Sequence, residues 1–257
     1  MAATDAGAAP GAALVTGAGK RIGRALALSL ADQGFDVAVL YNSSSKDANE
    51  VVALIKAKGR KAAALGADLS QETQVAGLIK QASDALGPLT LLVNSASAFE
   101  HDDIASMTRK SWDAHMEVNL RAPAKLSQDF AAQAKPGAQI VNIIDQRVLK
   151  LTPQFLSYTA SKAALWALTR TMAQALGPKG IRVNAIGPGP TLKNPRQSDD
   201  DWKRQNEATI LGHGAAPEDI CGALLYLLSA RSVTGQMIAV DGGQHLAWKT
   251  PDVLVQE

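Results

Sequence analysis

The chain has 257 residues, of which 46% are apolar, and a formal net charge of +2. This length and apolar content are enough for a large core, and one α/β domain commonly reaches this size. The balanced charge, without runs of like charge, argues against nucleic acid or a membrane surface as a partner. The single cysteine, Cys221, excludes an internal disulfide and is expected to be a buried structural thiol.

The chain begins with residues rich in alanine and glycine, without the basic and apolar segments of a signal peptide. We therefore expect a flexible N-terminus at residues 1–10, followed by a single domain at residues 11–257. No apolar run approaches the roughly 18 residues that a membrane-spanning helix needs. A cytoplasmic location is the expectation.

Short aliphatic runs alternate with longer amphipathic ones. The predicted strands are residues 13–16, 36–41, 61–67, 89–94, 139–144, 182–186 and 237–240. The predicted helices are residues 22–33, 46–58, 71–86, 111–134, 155–176 and 217–229. Strands that alternate with helical crossovers predict an α/β fold, with a parallel sheet of about seven strands covered by helices on both faces. The polar loops at residues 94–108 and 187–201 follow strands and are predicted to line a ligand site.

The first predicted strand leads into a glycine-rich turn, TGAGKRIG, at residues 16–23. Glycines between a first strand and a first helix let the backbone approach a pyrophosphate, whose charge the helix N-terminus favours. The spacing is not the common G-x-G-x-x-G, because five residues separate Gly17 from Gly23. The position of the turn nevertheless favours a nucleotide site.

The end of the second predicted strand indicates which nicotinamide cofactor is used. An NAD site places an acid there for the ribose diol, but the chain has Tyr41 followed by Asn42, Ser43 and Ser44. Asp36 stands at the beginning of that strand, at the wrong edge of the sheet. With Lys20 and Arg21 supplying positive charge nearby, the sequence predicts NADP(H). The alternative is poor selectivity between the two cofactors.

Three residues predict acid–base chemistry. Tyr158 and Lys162 are four positions apart in a predicted helix, so both side chains lie on one face. A lysine ammonium there is expected to lower the tyrosine pKa from about 10 and make the phenol a usable proton donor. Asp145, at the end of the fifth predicted strand, is expected to be its companion.

With its motifs in this order, the chain resembles the short-chain dehydrogenase/reductase family over residues 11–247. The motifs are TGAGKRIG at 16–23, NSA at 94–96, YTASK at 158–162, GPG at 187–189 and VDGG at 240–243. The resemblance implies a Rossmann-like fold, doubly wound, and usually a homotetramer. It also implies that Tyr158 is the acid, that Lys162 binds the nicotinamide ribose, and that Asn119 holds a relay water.

The resemblance further implies a set of cofactor-binding residues, in which Asp68 meets the adenine and Thr191 the carboxamide. The set is Gly17, Lys20, Arg21, Ile22, Asn42, Ser43, Ser44, Asp68, Leu69, Asn94, Ala96, Tyr158, Lys162, Pro188, Gly189, Thr191 and Leu192.

Three departures from the family pattern narrow the resemblance to pteridine reductases and dihydromonapterin reductases. Arg21 replaces the usual middle glycine of the first motif, Ser97 follows NSA in place of a glycine, and Asp145 replaces the catalytic serine. The resemblance implies a substrate site for a small molecule, a pterin or dihydropterin, formed by Arg21, Ser97, Phe99, Asp145 and Tyr158. The aromatic ring would stack on the pterin, and the aspartate would join the tyrosine in proton delivery.

Chemistry favours the same substrate. A pterin presents N–H donors that suit a carboxylate and a flat ring that suits stacking, whereas an anionic Asp145 would repel the oxyanion that develops from a ketone. Simpler roles stay open: Asp145 as a loop cap, Phe99 as loop packing, and Arg21 as a salt bridge or phosphate ligand. Other candidate functions are a carbonyl reductase for another ketone or 3-oxoacyl substrate, and a non-catalytic NADP sensor.

The four histidines predict no metal site. They are His101, His115, His213 and His245, and their spacing fits no metal motif. We expect them on surface loops or helix faces, without a catalytic role.

Overall fold

The structure, a computed structural model, describes residues 11–248. Within these residues, seven parallel strands form one sheet in the order β3-β2-β1-β4-β5-β6-β7. They are β1 (Ala12–Val15), β2 (Asp36–Tyr41), β3 (Ala62–Gly66), β4 (Leu89–Asn94), β5 (Gln139–Ile143), β6 (Arg182–Pro188) and β7 (Met237–Val240). The predicted α/β fold with a Rossmann-like parallel sheet is confirmed.

Helices cover both faces of the sheet. They are α1 (Arg21–Asp32), α2 (Ser45–Ala57), α3 (Glu72–Val75), α4 (Leu78–Leu86), α5 (Arg109–Met116), α6 (Ala122–Gln133), α7 (Leu156–Leu176), α8 (Asp199–Glu207) and α9 (Pro217–Ser229). A π-helical turn, Glu117–Arg121, joins α5 to α6. No helix in the described part of the chain is long and apolar enough to cross a membrane.

The core has two parts because side chains along a strand point alternately to opposite faces. In β1, Ala13 and Val15 pack in the cluster that includes α1, α2 and α9. Ala12 and Leu14 pack in the other cluster, with α4, α6 and α7. All four side chains are buried, so the strand before the glycine turn is held from both sides.

The helix predictions were partly wrong. The helix predicted over residues 71–86 is two helices, because Gly77 adopts a φ of +84° between α3 and α4. The helix predicted over residues 111–134 is interrupted by the π-helical turn. The predicted loop at residues 187–201 runs into α8, a helix that the sequence pattern does not predict.

The predicted domain limits stay a prediction. The expected flexible segment at residues 1–10 lies outside the described residues, and so do residues 249–257 of the expected domain.

Candidate active site

A cleft of about 1200 Å³ lies at the carboxyl ends of the strands. Open α/β sheets bind ligands at this edge. The turn after β1, the end of β2 and the loops after β4, β5 and β6 supply its walls. The predicted site residues that line it are Gly17, Lys20, Arg21, Ile22, Asn42, Ser43, Ser44, Asp68, Leu69, Ala96, Ser97, Phe99, Asp145, Tyr158, Lys162, Pro188, Gly189, Thr191 and Leu192.

The turn after β1 has the shape of a phosphate cradle. Gly17 has a φ of +66°, and a Cβ there would lie 2.9 Å from the Ala96 Cα. A Cβ on Gly23 would lie 2.3 Å from the Gly17 carbonyl oxygen, so only glycine lets α1 pack this closely on the turn. The first turn of α1 has no acidic residue, which leaves its N-terminus suited to an anion. The turn therefore fits a pyrophosphate.

The end of the cleft beside β2 carries charges of both signs. No carboxylate occurs between Tyr41 and Ser45 at the end of β2. Asp36 lies at the opposite end of β2, as its place in the sequence predicts. Its Oδ1 is 2.8 Å from Arg60 Nη2. Lys20 Nζ is 3.1 Å from Asp47 Oδ2, and both side chains are substantially exposed. A ligand phosphate would compete with Asp47 for this lysine.

Tyr158 donates a hydrogen bond from its hydroxyl to Asp145 Oδ2 over 2.9 Å. Asp145 Oδ1 accepts from the backbone N–H of Arg147 over 2.8 Å, so this carboxyl also caps the turn after β5. Both the simple capping role and the predicted pairing with Tyr158 are therefore present. Burial raises the pKa of Asp145, against the opposing effects of the Arg147 N–H, the Arg147 charge, Tyr158 and Lys162.

Lys162 is buried, and its Nζ donates to the Ile143 carbonyl over 2.9 Å. Burial lowers its pKa to about 8, although Asp145 opposes the shift. The expectation that Lys162 lowers the Tyr158 pKa was wrong for this structure. Burial, followed by the negative charge of Asp145, raises the pKa of Tyr158 well above 10. The phenol therefore holds its proton firmly before a ligand binds.

The substrate-side wall is aromatic. The Phe99 ring stacks on Phe155 with centroids 4.6 Å apart and meets Tyr158 edge-on at 4.7 Å. The guanidinium of Arg147 lies 5.0 Å from the centroid of Phe155. Sequence reasoning missed Phe155 and Arg147, because nothing in their local pattern indicates that the fold brings them beside Phe99. Ser97 also lines this part of the cleft.

Two arginines tie the loop after β6 to the other walls of the cleft. Arg21, which begins α1 at a φ of +52°, donates to the carbonyls of Leu192 at 2.8 Å and Lys193 at 3.0 Å. Arg196 donates to the Phe99 carbonyl over 2.7 Å and forms an ion pair with Glu100. The guanidinium of Arg21 therefore contacts the loop, and its predicted contact with cofactor or substrate stays a prediction.

Asn94 and Asn119 are not among the residues that line the cleft. Asn94 Nδ2 donates to Asn142 Oδ1 over 2.8 Å, inside the sheet. Asn119 lies on the π-helical turn, where Oδ1 accepts from the Ala98 N–H at 2.8 Å and Nδ2 donates to the Ala98 carbonyl at 3.0 Å and to Ser161 Oγ at 3.1 Å. The Asn94 amide therefore links β4 to β5, and the Asn119 amide fixes the loop after β4 at Ala98. Their predicted direct roles stay predictions.

His115 lies on a face of α5, one of the two expected settings, and its side chain is fully buried. It forms a hydrogen-bonded chain with Ser157 and Asp102, and both are also buried. The described residues contain no group of three or more possible metal-ligating side chains.

Comparisons with known proteins agree with this geometry. A family model described as enoyl-(acyl carrier protein) reductase matches residues 17–245. The crystal structure of FolM alternative dihydrofolate reductase 1 from Brucella canis, complexed with NADP, is 46% identical with a TM-score of 0.91 and covers 95% of this chain and 98% of that one.

Two curated relatives are less similar in sequence than this crystal structure. An uncharacterized oxidoreductase of Methylorubrum extorquens is 36% identical over 238 residues, covering 90% of this chain and 96% of its own. A 3-oxoacyl-[acyl-carrier-protein] reductase, FabG, of Staphylococcus epidermidis is 34% identical over 241 residues, which cover 91% of this chain and 98% of that protein. The parallel sheet, the glycine turn and the Tyr158–Lys162 pair are those of an oxidoreductase that uses a nucleotide cofactor. The chain belongs to the short-chain dehydrogenase/reductase family.

Proposed function

We propose that this protein is an NADPH-dependent reductase of a pterin or dihydropterin. The observation that carries the proposal is the hydrogen bond from Tyr158 to Asp145, at 2.9 Å, beside the ring of Phe99. A proton donor, a carboxylate for N–H groups and a stacking surface are then within one part of the cleft. The 46% identity to a structure named alternative dihydrofolate reductase supports the same substrate class.

The cofactor is NADP(H). The related crystal structure contains NADP, and the cradle around Gly17 and Gly23 has room for a pyrophosphate only because neither residue has a side chain. Asn42, Ser43, Ser44 and Lys20 line the cleft where an additional phosphate would lie. When bound, the reduced cofactor supplies the hydride that a substrate ring carbon accepts.

Side chains of the protein supply the proton that the reduction requires. Tyr158 holds it on its hydroxyl and directs it toward Asp145. The Tyr158 proton lies in a hydrogen bond to Asp145 Oδ2, so the two side chains act together as one donor. We assign this pair the delivery of one proton to the ring nitrogen next to the reduced carbon, with replacement from solvent afterwards. Lys162 keeps a positive charge beside the pair at neutral pH, since its pKa is about 8.

The main alternative is a carbonyl reductase for a ketone or 3-oxoacyl substrate, which the FabG relative favours. In that case Asp145 would act only as the cap of the turn after β5. A non-catalytic NADP sensor is a remote alternative, since Tyr158, Lys162 and Asn119 are all present.

The test is NADPH oxidation with dihydropterins, aliphatic ketones and 3-oxoacyl thioesters under the same conditions. The proposal expects turnover of dihydropterins at least about tenfold above every ketone in kcat/KM. Turnover of ketones alone would overturn it, and tight NADPH binding without any turnover would favour the sensor.

Asp145→Ser separates the two enzyme functions. A pterin reductase should lose about 100-fold or more in kcat/KM because the proton-delivering pair is broken. A ketone reductase should keep or gain activity, since serine is the usual residue of its family. Thr152→Ser is a matched control, because Thr152 accepts a hydrogen bond from Arg147 without contacting Tyr158.

A cytoplasmic homotetramer remains our expectation for the assembly. Light scattering of the purified protein after size-exclusion chromatography should give about four times the chain mass of 26.9 kDa. A monomer or dimer would contradict it.

A further inference from the structure

A buried chain of hydrogen bonds joins Asp102, Ser157 and His115 behind the aromatic wall. His115 Nδ1 lies 2.6 Å from Ser157 Oγ, and the Ser157 hydroxyl donates to Asp102 Oδ2. At the other end, the backbone N–H of Glu100 donates to His115 Nε2 over 3.0 Å. All three side chains are at least 99% buried. The mechanism described above uses none of them.

The partners determine where each proton lies. Glu100 can only donate through its backbone N–H, so His115 Nε2 must be the unprotonated acceptor. His115 is therefore neutral with its proton on Nδ1, which donates to Ser157 Oγ. Ser157 in turn has only Asp102 left for its hydroxyl proton, and an ionised carboxylate accepts it. Every bond in the chain then points from Glu100 toward Asp102.

Asp102 also supplies the missing cap of α7. The residue before α7, Phe155, provides no side-chain cap and has a φ of +59°, a strained conformation for an aromatic residue. Asp102 Oδ1 accepts from the Ser157 N–H at 3.1 Å, and the Asp102 carbonyl accepts from the Phe155 N–H at 2.7 Å. A carboxylate from a distant loop thus satisfies the orphan donors at a helix N-terminus.

The network adjoins the residues of the cleft at two points. Glu100 follows Phe99, and Ser157 precedes Tyr158. The His115 ring also meets Tyr158 edge-on, with centroids 5.9 Å apart. We propose that Asp102, Ser157 and neutral His115 are positioning residues, which fix Phe99, Phe155 and Tyr158 relative to one another for the substrate.

A hydrolytic triad is excluded by the order of the contacts. In such a triad the histidine stands between serine and carboxylate and accepts the serine proton. Here Ser157 stands in the middle and gives its proton to Asp102, and its Oγ is not exposed to a substrate. The chain therefore orients groups and does not supply a nucleophile.

Asp102→Asn is the sharpest test, because it keeps the size of the side chain and would reverse two hydrogen bonds of the network. The amide would cap Ser157 N–H through its oxygen, so its NH₂ group would have to donate to Ser157 Oγ. Ser157 would then donate to His115 Nδ1, which moves the histidine proton to Nε2, against the Glu100 N–H. We expect ¹⁵N spectra of the histidine-labelled protein to show neutral His115 protonated on Nδ1 in the wild type and loss of that tautomer in the variant.

His115→Phe assigns the signal among the four histidines. Asp103→Asn is the matched control, because the Asp103 carboxylate accepts from Ala105 and Ser106 in its own turn, so the variant should leave the tautomer unchanged. A wild-type His115 protonated on Nε2, or an Asp102→Asn spectrum identical to wild type, would overturn the proposal. Circular dichroism checks that each variant is folded.

The KM values for substrate and cofactor test the positioning role, and this kinetic test rests on the proposed function. In Asp102→Asn the KM for dihydropterin should rise about tenfold, while the KM for NADPH stays within about twofold, because the glycine turn lies outside the network. Equal changes in both would indicate general destabilisation and overturn the positioning role. If pterins are not substrates, the proposed function fails while the tautomer result still stands, and the kinetic arm is run on the ketone that is reduced.

The double variant Asp102→Asn with Ser157→Ala supplies a second check. Without Ser157 nothing drives the proton to Nε2, so His115 can again accept from Glu100. The double variant should therefore recover the Nδ1 tautomer and part of the KM for dihydropterin. Additive losses would show that the two residues act independently, which contradicts the proposed chain.

Discussion

Tyr158 keeps its proton because it is buried and lies beside a carboxylate. The spacing of Tyr158 and Lys162 suggests a lysine that makes the phenol more acidic, yet burial and Asp145 move the Tyr158 pKa the other way. Lys162 is occupied by the Ile143 carbonyl and lies 5.8 Å from the Tyr158 ring centroid. Before ligands bind, Asp145 therefore has more influence on this phenol than the lysine has.

Asp145→Asn should lower the Tyr158 pKa, because the amide keeps the shape and the acceptor oxygen but removes the negative charge. Ultraviolet difference titration measures tyrosinate formation, and Tyr158→Phe identifies the Tyr158 contribution among the three tyrosines. The same variant should reduce dihydropterin turnover about 100-fold. A tyrosine titration that stays as in the wild type would show that the Asp145 charge does not act on Tyr158.

At the scale of elements, the contact between the glycine turn and α1 shapes the phosphate cradle. Gly23 belongs to α1, and its missing side chain allows the helix N-terminus to lie against the Gly17 carbonyl. Gly222 also lies within a helix, α9, but a Cβ there would meet nothing within 4 Å. The two glycines therefore separate the effect of close approach from the effect of helix propensity.

Gly23→Ala should weaken NADPH binding at least about tenfold, because the added methyl group must displace α1 from the turn. Gly222→Ala should leave binding unchanged and stabilise the fold by roughly 0.5–1 kcal/mol, the usual preference of a helix for alanine. Fluorescence titration with NADPH and urea unfolding measure the two quantities. Equal NADPH affinity in both variants would contradict the assigned role of Gly23.

The sequence predicts the regular elements well and the long-range contacts poorly. Each strand lies within two residues of its predicted ends, since aliphatic runs and glycines mark strands directly. Helix α8 was missed although Ser198 caps it at Asp201, because the helix buries no residue and so has no apolar periodicity. The network of Asp102, Ser157 and His115 joins residues up to 55 positions apart, and no local pattern encodes that proximity.

For the molecule as a whole, the active site costs stability because it buries ionisable groups. The carboxyl edge of the sheet holds Lys162 and Asp145 away from water, where their charged forms are disfavoured. Two bases with lowered pKa values, Lys162 and His115, then make the free energy of unfolding depend on pH in different ranges. Neutral variants of each should reveal these contributions separately.

Lys162→Met should abolish turnover and yet raise the free energy of unfolding at neutral pH by about 1–2 kcal/mol. The folded pKa of Lys162, about 8, is below its ordinary value of 10.5, so the cost of burying its charge is fully present below pH 8. That cost disappears as pH rises toward 10.5, and the gap between variant and wild type should narrow there. Urea unfolding at several pH values measures this difference in the free energy of unfolding. A variant less stable than the wild type at every pH would contradict the stability cost assigned to the buried Lys162 charge.

His115 should affect the free energy of unfolding at lower pH than Lys162 does. Burial lowers its pKa below 6.5 and Lys162 adds to the shift, although Asp102 and then Glu100 oppose it. The unfolded chain then binds a proton that the folded protein does not, so stability should fall as pH drops below about 6.5. Protonated His115 would also place an Nε2–H against the Glu100 N–H, which ties this loss of stability to release of the loop beside the aromatic wall.

His115→Phe should flatten the decline in the free energy of unfolding between about pH 6.5 and 5, measured by urea unfolding. His213→Phe, at an exposed histidine, is the control. If both variants follow the wild-type curve, the buried histidine does not govern acid stability and its neutral state must be maintained by other groups.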